Sequence, residues 1–440
     1  MKRPLRWFVL GAAPLLGALG VFACSSSDQT RENFEADGSP APDAGPSLPP
    51  EAGPAPDADA AITDAAPHFD AASEPVQCAA TPCVVQLVAG GAHYCALLSD
   101  HTVRCWGAAA PQMGDYDAGG NWHASQNSPL DMKLSNVAEL SAQGNTTCAR
   151  FGEGSVKCFG GNFQGAIVLD PPSTDFAPHG PTTIPISNVA HVRIVGGDTV
   201  LAIKDSGELW SWGSRTDTLG RPDVTEYVVG PGQVNLGGAK VVNAFGGIGV
   251  AFAVTEQGEL LTWGSGTAMV TYPGPIPLPL PGFVNVGNGV GNGSHVCMVA
   301  DGRLYCWGQN GLQSCSGVAD AILSPLEIRT HGFAHAQQVS VSGQNTFVRM
   351  SDGTIQGCGS DTNGMLGTGE ADAGAAASWL LVEAKGFTGH AVSVASGDSS
   401  VCVLEQGGSV QCWGANDWGQ LGQGTTDTDR HASAVRVSFE

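Results

Sequence analysis

The sequence predicts an all-β chain built from seven copies of one repeat, on three observations. An aromatic-glycine pair recurs as Trp106-Gly107, Phe159-Gly160, Trp212-Gly213, Trp263-Gly264, Trp307-Gly308 and Trp413-Gly414, with Cys358-Gly359 in the sixth place. The interval is about 51 residues, a period that signals a propeller or a solenoid. Ahead of each pair lie an apolar strand, a tight turn and a second strand, which together read as a β-hairpin. Composition agrees: 62 Gly among 440 residues, 14% charged residues and ten Trp against five Tyr fit many short strands joined by tight turns. A chain of this length exceeds a single ordinary core, so it holds either several domains or one repetitive architecture, and the repeat decides for the latter.

Two segments of different character precede the repeats. Lys2, Arg3 and Arg6 stand before an apolar run from Trp7 to Ala23 that ends at Cys24 and a Ser-rich stretch. At seventeen residues the run barely spans a bilayer as a retained helix. Val21-Phe22-Ala23-Cys24 resembles instead the lipobox of a bacterial lipoprotein signal, which implies cleavage after Ala23 and a lipid on Cys24 as the membrane anchor. Residues 24–75 carry nine Pro, eleven Asp and Glu, and Arg31 as the one basic residue. Such a segment cannot bury enough apolar surface to offset the entropy of ordering. It predicts a disordered tether with a reach between roughly 40 Å as a coil and about 150 Å when extended. The domain plan is a signal peptide at 1–23, an acidic Pro/Ala/Asp tether at 24–75 and a seven-repeat domain at 76–440. The net charge of −22 offers no basic patch for counterion release, which excludes DNA and RNA as partners.

The turns carry most of the information about the hairpins. Five of them are three residues long and close on Gly: Gly152-Glu153-Gly154, Asp205-Ser206-Gly207, Glu256-Gln257-Gly258, Ser351-Asp352-Gly353 and Gln406-Gly407-Gly408. A three-residue hairpin loop wants its last residue left-handed, which Gly adopts without steric cost. Ser99-Asp100-His101 departs, so His101 must accept that conformation or the turn must change. The fifth repeat is one residue shorter and turns on Asp301-Gly302, the pair preferred for a type I′ turn. Length and turn chemistry change together, which preserves strand register.

The cysteines follow the same register. Counting outward from each turn, facing positions hold Cys95 with Cys105, Cys148 with Cys158, Cys297 with Cys306 and Cys402 with Cys412. Elsewhere they hold Leu201 with Ser211, Phe252 with Thr262 and Phe347 with Gly357, so both places are Cys or neither is. Directly opposed residues of an antiparallel pair lie close enough for a disulfide, and free thiols have no reason to come and go in couples. Cys78 and Cys83 are placed to close a small loop before the first strand. Cys315 and Cys358 remain, and pairing them would join the fifth repeat to the sixth. Disulfides need an oxidising compartment, in keeping with an export signal.

The endings of the form Cys-Trp-Gly, with the stretches Asn363 to Gly369 and Trp418 to Gly424, resemble the repeat of the regulator of chromosome condensation family. The resemblance covers roughly residues 84 to 440 and implies a seven-bladed β-propeller, one four-stranded antiparallel blade per repeat. The cysteine-bearing form resembles an exported bacterial branch. WD40 repeats are shorter, and kelch repeats share the period without this ending. Nucleotide exchange on a small nuclear GTPase, the founding activity of the family, does not travel with the fold. The segment 433–440 ends where an inner strand would, which predicts that it completes the first blade and closes the ring.

Candidate chemistry is sparse. His93 and His295 stand two residues before a repeat cysteine and read as structural repeat positions. His331 and His335 have the spacing of a helical metal pair, but Gly332 and the absence of helical context predict a loop. The Asp-Gly sequences read as turns and not as calcium loops. No P-loop, Gly-x-Ser-x-Gly or His-Glu metal motif occurs, so neither metal nor cofactor is expected. The repeat aromatics read as core between blades and not as a sugar platform. Binding is expected from the irregular stretches 108–132, 161–185 and 266–283, since rigid scaffolds present binding residues on loops. The reading is a monomeric cell-envelope lipoprotein, at the outer membrane or cell surface, that binds a protein or surface polymer without catalysis. The alternative is an exported polysaccharide hydrolase or lyase acting in the central depression, which carboxylates and a His at the ring centre would favour.

Overall fold

The computed structural model describes residues 74–108, 125–162, 165–168, 178–196, 199–214, 217–264, 272–277, 286–291, 295–308, 314–317, 322–369 and 377–439. All lie in the second of the chain's two units, 65–440. The signal segment, Cys24 and the tether up to residue 73 fall outside the described residues.

Each repeat forms one antiparallel blade of four strands, and a parallel bridge between Gly246 and Val290 joins the fourth and fifth blades into one eight-stranded sheet. In the first, Val84–Ala89, His93–Leu98, Val103–Gly107 and Gln126–Asp131 lie side by side in chain order, from an inner strand to an outer one. The other six blades span 137–184, 189–233, 241–277, 286–328, 336–383 and 391–436 in the same order. Neighbouring inner strands meet all the way round, the seventh against the first, and the result is a seven-bladed β-propeller.

Strand position explains strand composition. The second strand of a blade is covered on both faces by neighbouring blades, so His93–Leu98, Val250–Thr255 and Asn345–Met350 are buried along their whole length, and Val250–Thr255 reads as a near-continuous apolar run. Outer strands tolerate Pro because one edge needs no ladder partner, and Pro129, Pro181, Pro231, Pro275 and Pro325 all sit there. The turns behave as their residues require. His101 takes φ of 65° and its Nδ1 lies 3.1 Å from the Val137 carbonyl, while Asp301 and Gly302 take 47° and 72° as a type I′ turn demands.

Cross-strand register places Cys95 opposite Cys105, Cys148 opposite Cys158, Cys297 opposite Cys306 and Cys402 opposite Cys412, each pair disulfide-bonded. Disulfides also join Cys78 to Cys83 and Cys315 to Cys358. In the remaining blades the same two places hold a large residue facing a smaller one: Leu201 and Ser211, Phe252 and Thr262, Phe347 and Gly357. The last is a steric match, because a Cβ on Gly357 would stand 2.6 Å from the Phe347 ring.

The expected closure by the C-terminal strand does not occur. Asp427–Arg436 is the outer strand of the seventh blade, pairing with Val410–Asn416. The reason is phase: the chain enters the ring at an inner strand and leaves it at an outer one, so no strand is left over for exchange. The tail contributes side chains instead, with Phe439 edge-on to Trp106 of the first blade at 5.7 Å between ring centroids. A strap at the other end of the chain adds backbone bonds to the seam between the first and seventh blades. Gln77 and Ala79 donate backbone N–H bonds to the Gln406 and Gly407 carbonyls at 2.7 and 3.1 Å, and Val84 donates to Gly408 at 3.1 Å. Residues 74 and 75, placed in the tether by composition, are already part of this strap.

Replacing Gly357 by Ala is expected to cost about 1–3 kcal/mol through overpacking against Phe347, measured as a lowered thermal midpoint. The double variant with Phe347→Leu recovers much of that loss.

Candidate functional site

The inner strands enclose a central channel of about 1180 Å³. Each inner strand is the edge of its own four-stranded blade, those of the fourth and fifth sharing one parallel bridge at Gly246 and Val290, and an edge leaves backbone N–H and C=O groups to satisfy. A polar residue recurs at one repeat position, two residues after each inner strand begins: Gln86, Glu139, His191, Asn243, Asn288, Gln338 and Ser393. At this position Gln86 reaches into the next blade, accepting from Leu140 N at 2.8 Å and donating to Leu140 O at 3.0 Å. Gln338 treats Val394 the same way, at 2.9 and 3.2 Å. One side-chain amide thus imitates a strand.

At the seam between the second and third blades a carboxylate takes the amide's place. Glu139 Oε2 accepts from Val192 N at 3.0 Å but cannot donate, and Arg193 Nη1 supplies the missing donor to Val192 O at 2.8 Å. Arg150 lies 3.3 Å from Oε2, and His191 Nδ1 and Arg193 both reach Oε1. Burial pushes Glu139 up, but the hydrogen bond from His191 and the charge of Arg193 outweigh it and hold the carboxyl at about 2. A carboxylate so committed is a structural anion, unsuited to exchange protons near neutrality. At the other end of the channel Asp398 is pushed the opposite way by burial alone.

The histidines and aromatics serve the seams. His93 Nε2 lies 2.8 Å from Thr147 Oγ1 of the next blade, and His295 Nε2 lies 2.8 Å from Thr346 Oγ1. Burial lowers their pKa to about 4 and about 3. Trp106, Trp212, Trp263, Trp307 and Trp413 are fully buried between blades, as is Phe159. Four of these indoles donate to a carbonyl in the preceding blade's long loop: Trp106 to Gln420, Trp212 to Ala166, Trp263 to Thr218 and Trp413 to Met365, at 2.6–2.9 Å. Gly220 and Gly367 keep those loops close, with φ of 67° and 64°, and a Cβ on either would lie 2.8 Å from the indole nitrogen. In the sixth blade Cys358 stands in the Trp place, and its disulfide runs to Cys315 in the fifth blade's long loop. The disulfide replaces the indole bond at that joint.

His331 bonds through Nε2 to the Leu381 carbonyl at 2.7 Å, and the His335 backbone N–H donates to Ser351 Oγ at 3.0 Å, both within a connection between blades. Asp100 and Asp352 cap Thr102 and Thr354 within their hairpin turns. The stretches 108–132, 161–185 and 266–283 contain the connections from third to outer strand, which leave every blade at the same end and therefore share one face. Their parts at 109–124, 163–164, 169–177, 266–271 and 278–283 lie outside the described residues. On that face Tyr227, Trp418 and Ile248 are exposed. Sequence reading missed Glu139 and the amide seam. The signal was available, since aligning the repeats on the inner strand shows a polar residue at one fixed place.

The Regulator of chromosome condensation (RCC1) repeat family profile matches residues 84–108. The first repeat of the propeller is thus similar to that family's repeat. It is 27% identical to the Ultraviolet-B receptor UVR8 of Arabidopsis thaliana over 305 residues, 65% of this chain and 67% of that protein. It is also 27% identical to the E3 ubiquitin-protein ligase HERC2 of Homo sapiens over 253 residues, 53% of this chain but only 5% of that protein. The structure of human WBSCR16 superposes with a TM-score of 0.61 at 19% identity, over 76% of this chain and 89% of that one, a likeness of fold.

Acid should loosen this propeller in two stages. His93 and His295 are held below their ordinary pKa of 6.5, so the stability they lend is present above pH 6.5 and is lost as pH falls towards 4, on the order of 3 kcal/mol each. Glu139 adds a second loss as pH falls from 4.5 towards 2. Thermal midpoints measured from pH 7 to pH 3 should fall throughout, and His93→Asn with His295→Asn should flatten the upper part of the curve.

Proposed function

We propose that this protein is a lipid-anchored envelope scaffold whose long-loop face binds a protein or surface polymer without catalysis. The observation that carries the reading is the division of the molecule into a cross-linked ring and a single face of long connections. The ring is rigid by construction, with disulfides within and between blades and buried side-chain bonds at the seams. The connections on one face carry exposed Tyr227 and Trp418, residue types suited to anchoring a partner. Six disulfides use twelve of thirteen cysteines and leave Cys24, which stands where a lipoprotein signal would put the lipid. Oxidised thiols fit a compartment outside the cytoplasm, and an acidic Pro-rich spacer fits a domain held off a membrane. A monomer at the outer membrane or cell surface is the simplest form of this proposal.

The ligase activity of HERC2 and the light reception of UVR8 belong to those proteins. The enzymatic alternative draws support from the channel, where carboxylates and a His do gather. Their chemistry weighs against it, because Glu139 is locked between Arg150, Arg193 and His191.

Metabolic labelling with an alkyne fatty acid in a bacterial host should tag the wild-type chain and spare Cys24→Ser, which should leave the envelope fraction. Co-sedimentation with isolated envelopes or their purified polymers should weaken at least tenfold in Tyr227→Ala/Trp418→Ala and stay unchanged in Glu139→Gln. Release of saccharide fragments, abolished by Glu139→Gln, would favour the enzyme instead.

A further inference from the structure

Arg349 and Arg150 occupy the same repeat position, each directly opposite the seam residue of its own inner strand. In the second blade that residue is Glu139, and the pair is satisfied within the blade at 3.3 Å. In the sixth it is Gln338, whose amide is already committed to Val394. The Arg349 side chain is only 2% exposed, and its Nε and Nη1 have no hydrogen-bond acceptor. A buried guanidinium in that state is costly and calls for an anion. The anion comes from outside the blades. Glu74 Oε2 stands 3.6 Å from Arg349 Nη1, His390 Nε2 is 2.9 Å from both Glu74 oxygens, and Gln406 Nε2 donates to Oε1 at 2.9 Å.

We propose that Arg349, His390 and Gln406 form a carboxylate-binding pocket at the rim of the central channel, with Glu74 as its resident ligand and the clasp of the strap. The ligand class follows from the pocket's chemistry: a guanidinium, an imidazole and an amide NH₂ can all donate to one acceptor-only group. The repeat shows what is being supplied, namely the carboxylate that the second blade carries in its own inner strand and the sixth lacks. The clasp holds the strap at its upstream end, beyond the Cys78–Cys83 loop and the backbone bonds to residues 406 and 407. Glu74 thereby ties the strap that precedes the first blade to Gln406 of the seventh and Arg349 of the sixth.

The test uses the full chain with Glu74→Ala, which opens a space the size of acetate. Amide exchange at Gln77, Ala79 and residues 405–408 should quicken at least tenfold, and the thermal midpoint should drop by several degrees. Sodium acetate should restore at least half of that drop, sodium chloride of equal ionic strength should not, and Glu74→Ala/Arg349→Met should show no response to acetate. Exchange as slow as wild type, equal effects of acetate and chloride, or rescue that survives the loss of Arg349 would each overturn the proposal. Should the Ala variant fold too poorly to measure, Glu74→Gln keeps the shape without the charge. It should show the same quickened exchange with no acetate response, and wild-type protection in that variant would equally refute a need for the carboxylate.

Discussion

A four-stranded sheet standing alone would leave both faces bare and its inner edge unpaired, and the bonds that neighbours provide are what the remainder of this molecule depends on. The faces are covered by aromatic and aliphatic side chains packed between blades. At three seams the inner edge is met by a polar side chain that stands in for a missing strand, as Gln86 does for Leu140. A blade is therefore complete only in company, and the ring is the smallest unit in which every blade has company on both sides.

Within that constraint the chemistry is free to vary, and the seven repeats vary it. One amide does at two seams what a carboxylate and an arginine do together at another. An indole N–H holds a loop at four joints, and a disulfide holds it at a fifth. A cystine fills the middle of four hairpins, while Phe347 over Gly357 fills the same space in a fifth. What is kept is the geometric task, and the residues assigned to it are interchangeable solutions.

The sequence made the fold legible because its clearest signals are local. Turn residues and the facing positions counted outward from each turn lie within single hairpins, where spacing along the chain is spacing in space, and a fixed period repeats them. Asp301-Gly302 in the short repeat is the clearest case, since the turn type could be read from two residues. The seams were less legible. The bond from Gln86 to Leu140 spans 54 positions and that from Tyr94 to Ser400 spans 306, and no pattern within one repeat reveals a partner in the next. Ring closure was misjudged for a related reason. The tail at 433–440 looks like other apolar strands, and only the phase of the whole chain shows it to be an outer one.

The paired cysteines also bear on how the chain can change over generations. Losing one partner of Cys95 and Cys105 strands a thiol, free to cross-link to another molecule or to capture the wrong cysteine. Losing both and gaining a large residue beside a small one leads to a state that the third, fourth and sixth blades already occupy. Intermediates between the two states are therefore worse than either end. The position evolves as a couple, and its history in any lineage should read as jumps between two solutions.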